Sequence, residues 1–386
     1  MFLKGEEHPV NRLHRIVWKI LRPPVIAFLW LKFGYRFKTA KNLPENYIVL
    51  SNHATDWDPL FVACSFPEQM YFVASEHIAR WPFAYKLIKI FLAPILRYKG
   101  TVAAGTVMEI FRKLRAGSNV AFFAEGARTW DGVTGPILPS TGKTVKSAKC
   151  GLVTYKLTGG YFVSPRWSQS LRRGYLRGEA VHIYTKEELA AMTADEVNEI
   201  INRDLYEDAY ARQLQDPKHY RGKGLAEKIE NLIFLCPCCG ERESLISSGD
   251  TVFCRHCGKS FVYDRFGFLH GIEQKTVREL LGWQKERVAE DARAGKAYRA
   301  DNAVLKQVVK HTEETVASGP VLLDGQTLSC GERSFALSEI QDLNTHGKRA
   351  IVFSTAREYY ELIPGENACA QKFPLLFWEY KMNRKG

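Results

Sequence analysis

The stretch Tyr47-Ile48-Val49-Leu50-Ser51-Asn52-His53-Ala54-Thr55-Asp56-Trp57-Asp58-Pro59 opens as an apolar run and closes in a crowd of polar side chains. The run predicts a short buried strand, and the polar residues are then delivered together at its end. Asn119 to Ala124 (N-V-A-F-F-A) has the same form and leads into Glu125-Gly126-Ala127-Arg128-Thr129. Tyr71 to Ala74 and Tyr161 to Ser164 read as further strands. Pro59 to Ser65, Pro82 to Leu96, Thr101 to Ala116 and Cys150 to Leu157 read as helices. Strands alternating with helices predict an α/β domain with its functional groups at strand ends.

His53 and Asp58 stand in the arrangement N-H-x-x-x-x-D. A histidine of near-neutral pKa can take a proton from a hydroxyl, and a carboxylate on its other ring nitrogen fixes the tautomer. That is two thirds of a serine-type triad, with the hydroxyl left to a substrate. The same residues also fit a plain structural role, because Asp before Pro is a good helix start. In the second cluster, Gly126 permits an unusual backbone and the Arg128 guanidinium can grip a phosphate. Between the clusters, Ile95-Leu96-Arg97 is another strand-like ending, and Val163-Ser164-Pro165 is a fourth.

Taken in order, these four blocks resemble the glycerolipid acyltransferases, the family typified by 1-acylglycerol-3-phosphate acyltransferases. Asn52, His53 and Asp58 match its first block, Arg97 its second, Phe123 to Arg128 its third, and Val163 with Pro165 its fourth. The third block departs from the usual F-P-E-G-T-R, with Ala124 for proline and Ala127 for threonine. The resemblance spans roughly residues 40 to 190. It implies that His53, oriented by Asp58, is the general base that lets a lysophospholipid hydroxyl attack an acyl thioester of coenzyme A or acyl carrier protein. It also implies that Arg97, Glu125, Gly126 and Arg128 bind the acceptor's phosphate and shape its site.

Charge adds partners to this reading. The 386 residues hold 54 Lys plus Arg against 42 Asp plus Glu, a formal +12. From His8 to Pro44 there are eight bases and no acid, and from Gly132 to Gly178 again eight and none, so the rest nets 12 − 16 = −4. The first window mixes its bases with Trp, Phe, Leu and Ile, the composition of a segment lying on an anionic membrane surface. Its longest apolar run, Pro23 to Leu31, is about half the ~20 residues a spanning helix needs. Trp81 to Leu96 is a second amphipathic candidate. The second window follows Arg128, and its Lys143, Lys146 and Lys149 are expected beside the phosphates of a carrier or a headgroup, with Lys149 counted among the substrate-binding residues. The expected location is peripheral or monotopic, on the cytoplasmic face of the membrane.

Cys236-Pro237-Cys238-Cys239-Gly240 and Cys254-Arg255-His256-Cys257-Gly258 are two C-x-x-C-G knuckles. This spacing resembles a zinc ribbon, with Cys236, Cys239, Cys254 and Cys257 as ligands of a structural Zn²⁺ and Cys238 and His256 as bystanders. Nucleic acid is not an expected partner, because the bases and acids of the ribbon nearly balance. Past Gly319, short β-type runs closed by an amphipathic helix resemble a pleckstrin-homology-like domain in pattern. The domain plan is therefore a basic membrane-associating segment (1–40), an acyltransferase domain (41–224), a zinc ribbon (229–268), a helical linker (272–316) and a small β-rich α+β domain with a C-terminal helix (319–386). The competing reading is a non-catalytic lipid-binding adaptor that keeps the acyltransferase-like domain for docking.

Overall fold

The computed structural model describes residues 9–75, 93–97, 104–309 and 312–383. The chain divides into two compact units, one of residues 1–166 and 171–221 and one of 167–170 and 222–386.

In the first unit, α1 (Pro9–Phe33) leads into β1 (Tyr35–Phe37), β2 (Tyr47–Ser51), α2 (Asp58–Cys64), β3 (Met70–Ser75) and β4 (Ile95–Arg97). Then come α3 (Ala104–Arg115), β5 (Asn119–Phe123), α4 (Ser140–Ala148), β6 (Gly151–Thr158), α5 (Gly160–Val163), β7 (Leu176–Tyr184), α6 (Lys186–Ala191), α7 (Ala194–Leu205) and α8 (Ala209–Gln215). The seven strands form one sheet in the order β1-β7-β6-β2-β5-β3-β4. β6, β2, β5, β3 and β4 run parallel, and β7 runs against β6. β2 lies between β5 and β6 and is buried along its whole length, as a strand covered on both faces must be. Ile48, Leu50, Val120 and Leu152 meet Ile110, Leu114, Val145 and Val197 from the helices on one face.

Two expectations are exchanged. Gly151–Thr158 is a strand, not a helix, and Tyr161 to Val163 lies in a short helix, not a strand. β6 runs between β2 and β7, so burial erases the alternation that marks a strand. The Tyr161 and Phe162 rings pack instead on Tyr210. α7 opens on a capping box, Thr193 Oγ1 accepting from Glu196 N while the Glu196 carboxylate accepts from Thr193 N.

The expected boundary at residue 40 is absent. α1 buries His14, Trp18, Leu29 and Phe33, and β1 pairs with β7, so these residues are part of the α/β unit. The opposite side of α1 exposes Leu13, Ile16, Ile20 and Leu31. The candidate segment 81–96 lies outside the described residues, except for its last few.

In the second unit, β8 (Leu245–Ser248), β9 (Thr251–Cys254), β10 (Ser260–Tyr263) and β11 (Leu269–His270) make the ribbon's antiparallel sheet. α9 (Val277–Arg293) is next, then β12 (Tyr298–Val309), β13 (Thr312–Leu323), β14 (Thr327–Cys330), β15 (Arg333–Ala336), β16 (Asp342–His346), β17 (Ala350–Ser354), β18 (Tyr359–Ile363) and α10 (Lys372–Asn383). The last seven strands form an antiparallel sheet, β15-β14-β13-β12-β18-β17-β16. The expected helical linker over 272–316 therefore ends early, since α9 stops at Arg293 and the β-rich domain starts at Tyr298. Polar residues such as Asp301, Lys306 and Glu313 interrupt the apolar pattern of β12 and β13, which hides the hairpin in the sequence. Nor are ribbon and β-rich domain separate, because Phe234, Leu235, Val288, Phe373 and Phe377 share one core.

Candidate active site and metal centre

β2 ends at Ser51, and Asn52 fixes the start of the loop beyond it. Its side chain donates to Leu157 O at 2.9 Å and accepts from Leu157 N at 2.8 Å, clamping the loop to the end of β6. Asp58 then organises the loop from within. Its carboxylate is fully buried and accepts from His53 Nδ1 (2.9 Å), Ala54 N (2.7 Å), Thr55 N (2.8 Å) and Thr55 Oγ1 (2.7 Å). The helix-start reading is thus displaced: the residue preceding α2 is Trp57, and the Asp58 side chain turns back on the loop.

With Nδ1 bonded to Asp58, the imidazole carries its basic lone pair on Nε2. The ring lies flat on Phe123, centroids 4.1 Å apart and planes 15° apart, which fixes its tilt. The β5 turn braces the loop backbone as well. Glu125 accepts from His53 N at 2.7 Å and from Gly135 N at 2.6 Å, and Thr129 N donates to His53 O at 3.0 Å. Burial pushes the Glu125 carboxyl up to about 8, against the downward pull of those two N–H donors. Both its oxygens are engaged by backbone N–H groups, so Glu125 ties the His53 loop to the turn after β5. Gly126 sits at φ +73°, the left-handed region that a side chain disfavours, and its turn swings the chain from Glu125 to Arg128. Arg128 Nη1 meets Asp56 Oδ2 at 2.8 Å. Beside the dyad, Asn52, His53, Gly132, Tyr161 and Glu207 line a cavity of about 10 Å³, room for roughly one water and no more.

In the second unit, the sulfurs of Cys236, Cys239, Cys254 and Cys257 all lie within 4.8 Å of one another. Cys236 and Cys257 are 3.8 Å apart, Cys239 and Cys254 3.9 Å. A tetrahedron with metal–sulfur bonds of ~2.3 Å has an edge of ~3.8 Å, so the four thiols fit one ion. The two knuckles make the same turn, with Gly240 N donating to Cys236 O and Gly258 N to Cys254 O. Cys238 and His256 lie outside the cluster.

Residues 34–158 match the family model described as Acyltransferase. The chain carries an acyltransferase-family domain. Among solved structures, the chain is similar to the 1-acyl-sn-glycerophosphate (LPA) acyltransferase PlsC from Thermotoga maritima. That match has 17% identity and a TM-score of 0.41, over 51% of this chain and 81% of that one. A second is to the N-terminal PH domain of human ARAP2, with 13% identity and a TM-score of 0.19, over 24% of this chain and 84% of that one. No curated protein matches the chain.

Within the acyltransferase domain, the structure gathers His53, Asp58, Glu125, Gly126 and Arg128 at the C-terminal ends of β2 and β5. Arg97 ends β4 at the same end of the sheet, exposed, two strand spacings or ~10 Å from β5. Lys149 is a correction. It caps α4 just before β6, whose Gly151 pairs with Tyr47 at the far end of β2, roughly 20 Å along the strands from the dyad. Lys146 donates to the carbonyl of Met192 and is likewise occupied elsewhere. Of the second basic window, the base that does reach the site is Arg166, which donates to Arg128 O at 2.8 Å and lies over the Trp130 ring.

The sequence places Thr55 and Asp56 in the polar cluster without a role for either, and it does not foresee the stacking of Phe123 on His53. Thr55-x-x-Asp58 is a capping-type spacing, a local signal for the first; the others depend on contacts 70 or more residues apart. Glu125→Gln would turn an amide NH₂ toward one of two backbone N–H donors. It should cost about 1–3 kcal/mol of loop order and lower turnover at least tenfold while the chain stays folded, measured by acyl-transfer rate alongside circular dichroism.

Proposed function

We propose that the chain is a membrane-surface O-acyltransferase that moves a fatty acyl group from a thioester to the free hydroxyl of a lysophospholipid, with 1-acylglycerol-3-phosphate as acceptor. The observation that carries it is the His53–Asp58 pair, held at 2.9 Å next to a turn that presents Arg128. His53 Nε2 takes the acceptor's hydroxyl proton as its oxygen attacks the thioester carbonyl. The carbon–sulfur bond then breaks, and the leaving thiolate takes that proton from the imidazolium, which Asp58 stabilises throughout. Arg128 holds the acceptor's phosphate, and the donor is acyl-CoA or acyl carrier protein.

The surface of α1 supports the membrane part. Leu13, Ile16, Ile20 and Leu31 lie on one exposed stripe, flanked by the exposed bases Arg12, Arg15, Lys19 and Lys32. None of the described helices is long and apolar enough to cross a membrane. α1 also packs Phe28, beside that stripe, and the buried Phe33 against Trp57 of the His53 loop, which would set the dyad close to the bilayer surface. For the sulfur cluster we assign zinc, in a structural role, since four thiolates leave no open position.

Purified protein in detergent should acylate lysophosphatidic acid from one of the two donors, and His53→Ala should lose roughly 100- to 10,000-fold of that rate. Transfer to no lysolipid, or an unaffected variant, contradicts the reaction. Ile16→Glu with Ile20→Glu should abolish sedimentation with anionic vesicles; retained binding would place the contact elsewhere. Elemental analysis should find one zinc per chain, and chelation should lower the unfolding temperature of the second unit. Metal-free protein of unchanged stability contradicts the assignment.

A further inference from the structure

The arginine expected to hold the acceptor already has an anion. Arg128 Nη1 lies 2.8 Å from Asp56 Oδ2, with the Arg128 side chain 11% exposed and that of Asp56 71% exposed. Asp56 belongs to the loop between His53 and Asp58, and that loop does not depend on the pair to hold its shape. Its backbone is tied down by the Asp58 carboxylate, by Glu125 and by Thr129 N. The ion pair therefore adds little to the loop, while it takes up the guanidinium.

The neighbourhood favours a stronger anion. Arg166 is buried, donates to the Arg128 carbonyl and stacks on Trp130 at 4.1 Å, which places a second guanidinium beside the Arg128–Asp56 pair. A mostly exposed carboxylate is held weakly, because water solvates it well once it is released. A phosphate monoester brings up to two charges and three acceptor oxygens to the same fork.

We propose that Asp56 is a specificity-determining residue, which occupies Arg128 in the resting enzyme and is displaced by the phosphate of the acceptor headgroup. This rests on the acyltransferase reading above and deepens it. Competition of this kind lowers the apparent affinity for every headgroup that needs Arg128 by one common factor, and leaves acceptors that do not need it untouched. Asp56 thus sets the concentration of phosphate-bearing acceptor at which the enzyme works.

The test is Asp56→Asn, which keeps the size and removes the charge. With lysophosphatidic acid as acceptor, KM should fall roughly two- to fivefold, the factor of an exposed ion pair, and the change should lie in KM and not in kcat. With monoacylglycerol, which has no phosphate, KM should not move, and Asp56→Glu should restore the higher value. Titration with glycerol 3-phosphate, which needs no turnover, should show the same gain in affinity. A fall in kcat with KM unchanged would make the pair a structural tie and overturn the proposal, as would equal glycerol 3-phosphate affinity in the two proteins. If Asp56→Asn binds glycerol 3-phosphate more tightly but neither protein transfers acyl groups, the reaction is wrong and the competition at Arg128 stands.

Discussion

The site depends on a single buried carboxylate. Asp58 is out of contact with solvent and accepts from one imidazole N–H, two backbone N–H groups and one hydroxyl. Burying a carboxylate without partners is costly, so the loop is stable only in the conformation that supplies all four donors. That conformation is the one that turns Nδ1 of His53 inward and gives Nε2 its basic lone pair. Folding of the loop and preparation of the base are thus one event. The remaining contacts, the Asn52 clamp on Leu157, the Glu125 brace and the Phe123 stack, prevent the loop from moving as a body.

These contacts come from the three neighbouring strands β6, β2 and β5, which explains why the order of the sheet matters more than the order of the chain. Parallel strands bring their C-terminal ends to one edge, so the residues after β2 and β5 meet although about 70 residues separate them. Parallel pairing also sends every connection back to the far edge. Lys149, only 21 positions after Arg128, is carried there with it.

The same geometry decides how much of the molecule is legible in its sequence. His53 and Asp58, Gly126 and Arg128, and the two cysteine knuckles are short-range patterns, and each is found in the structure as a local turn. The strand β6 reads as a helix because a strand buried on both faces keeps no alternation to read. The hairpin β12–β13 is hidden for the opposite reason: much of it faces solvent, and its polar residues resemble a linker. A basic window in sequence is not a basic patch in space, and of its lysines and arginines Arg166 is the one the fold brings to Arg128. Asp56 has no signature of its own, since nothing local distinguishes it from any exposed acid in a loop.

The central claim is that Asp58 holds His53 in the tautomer with Nε2 as the free base. Nitrogen-15 NMR of the imidazole at a pH where His53 is neutral tests this without substrate. The account predicts a proton on Nδ1 and a pyridine-type shift at Nε2, with the preference lost in Asp58→Asn. A neutral ring protonated at Nε2 in the native protein would contradict it.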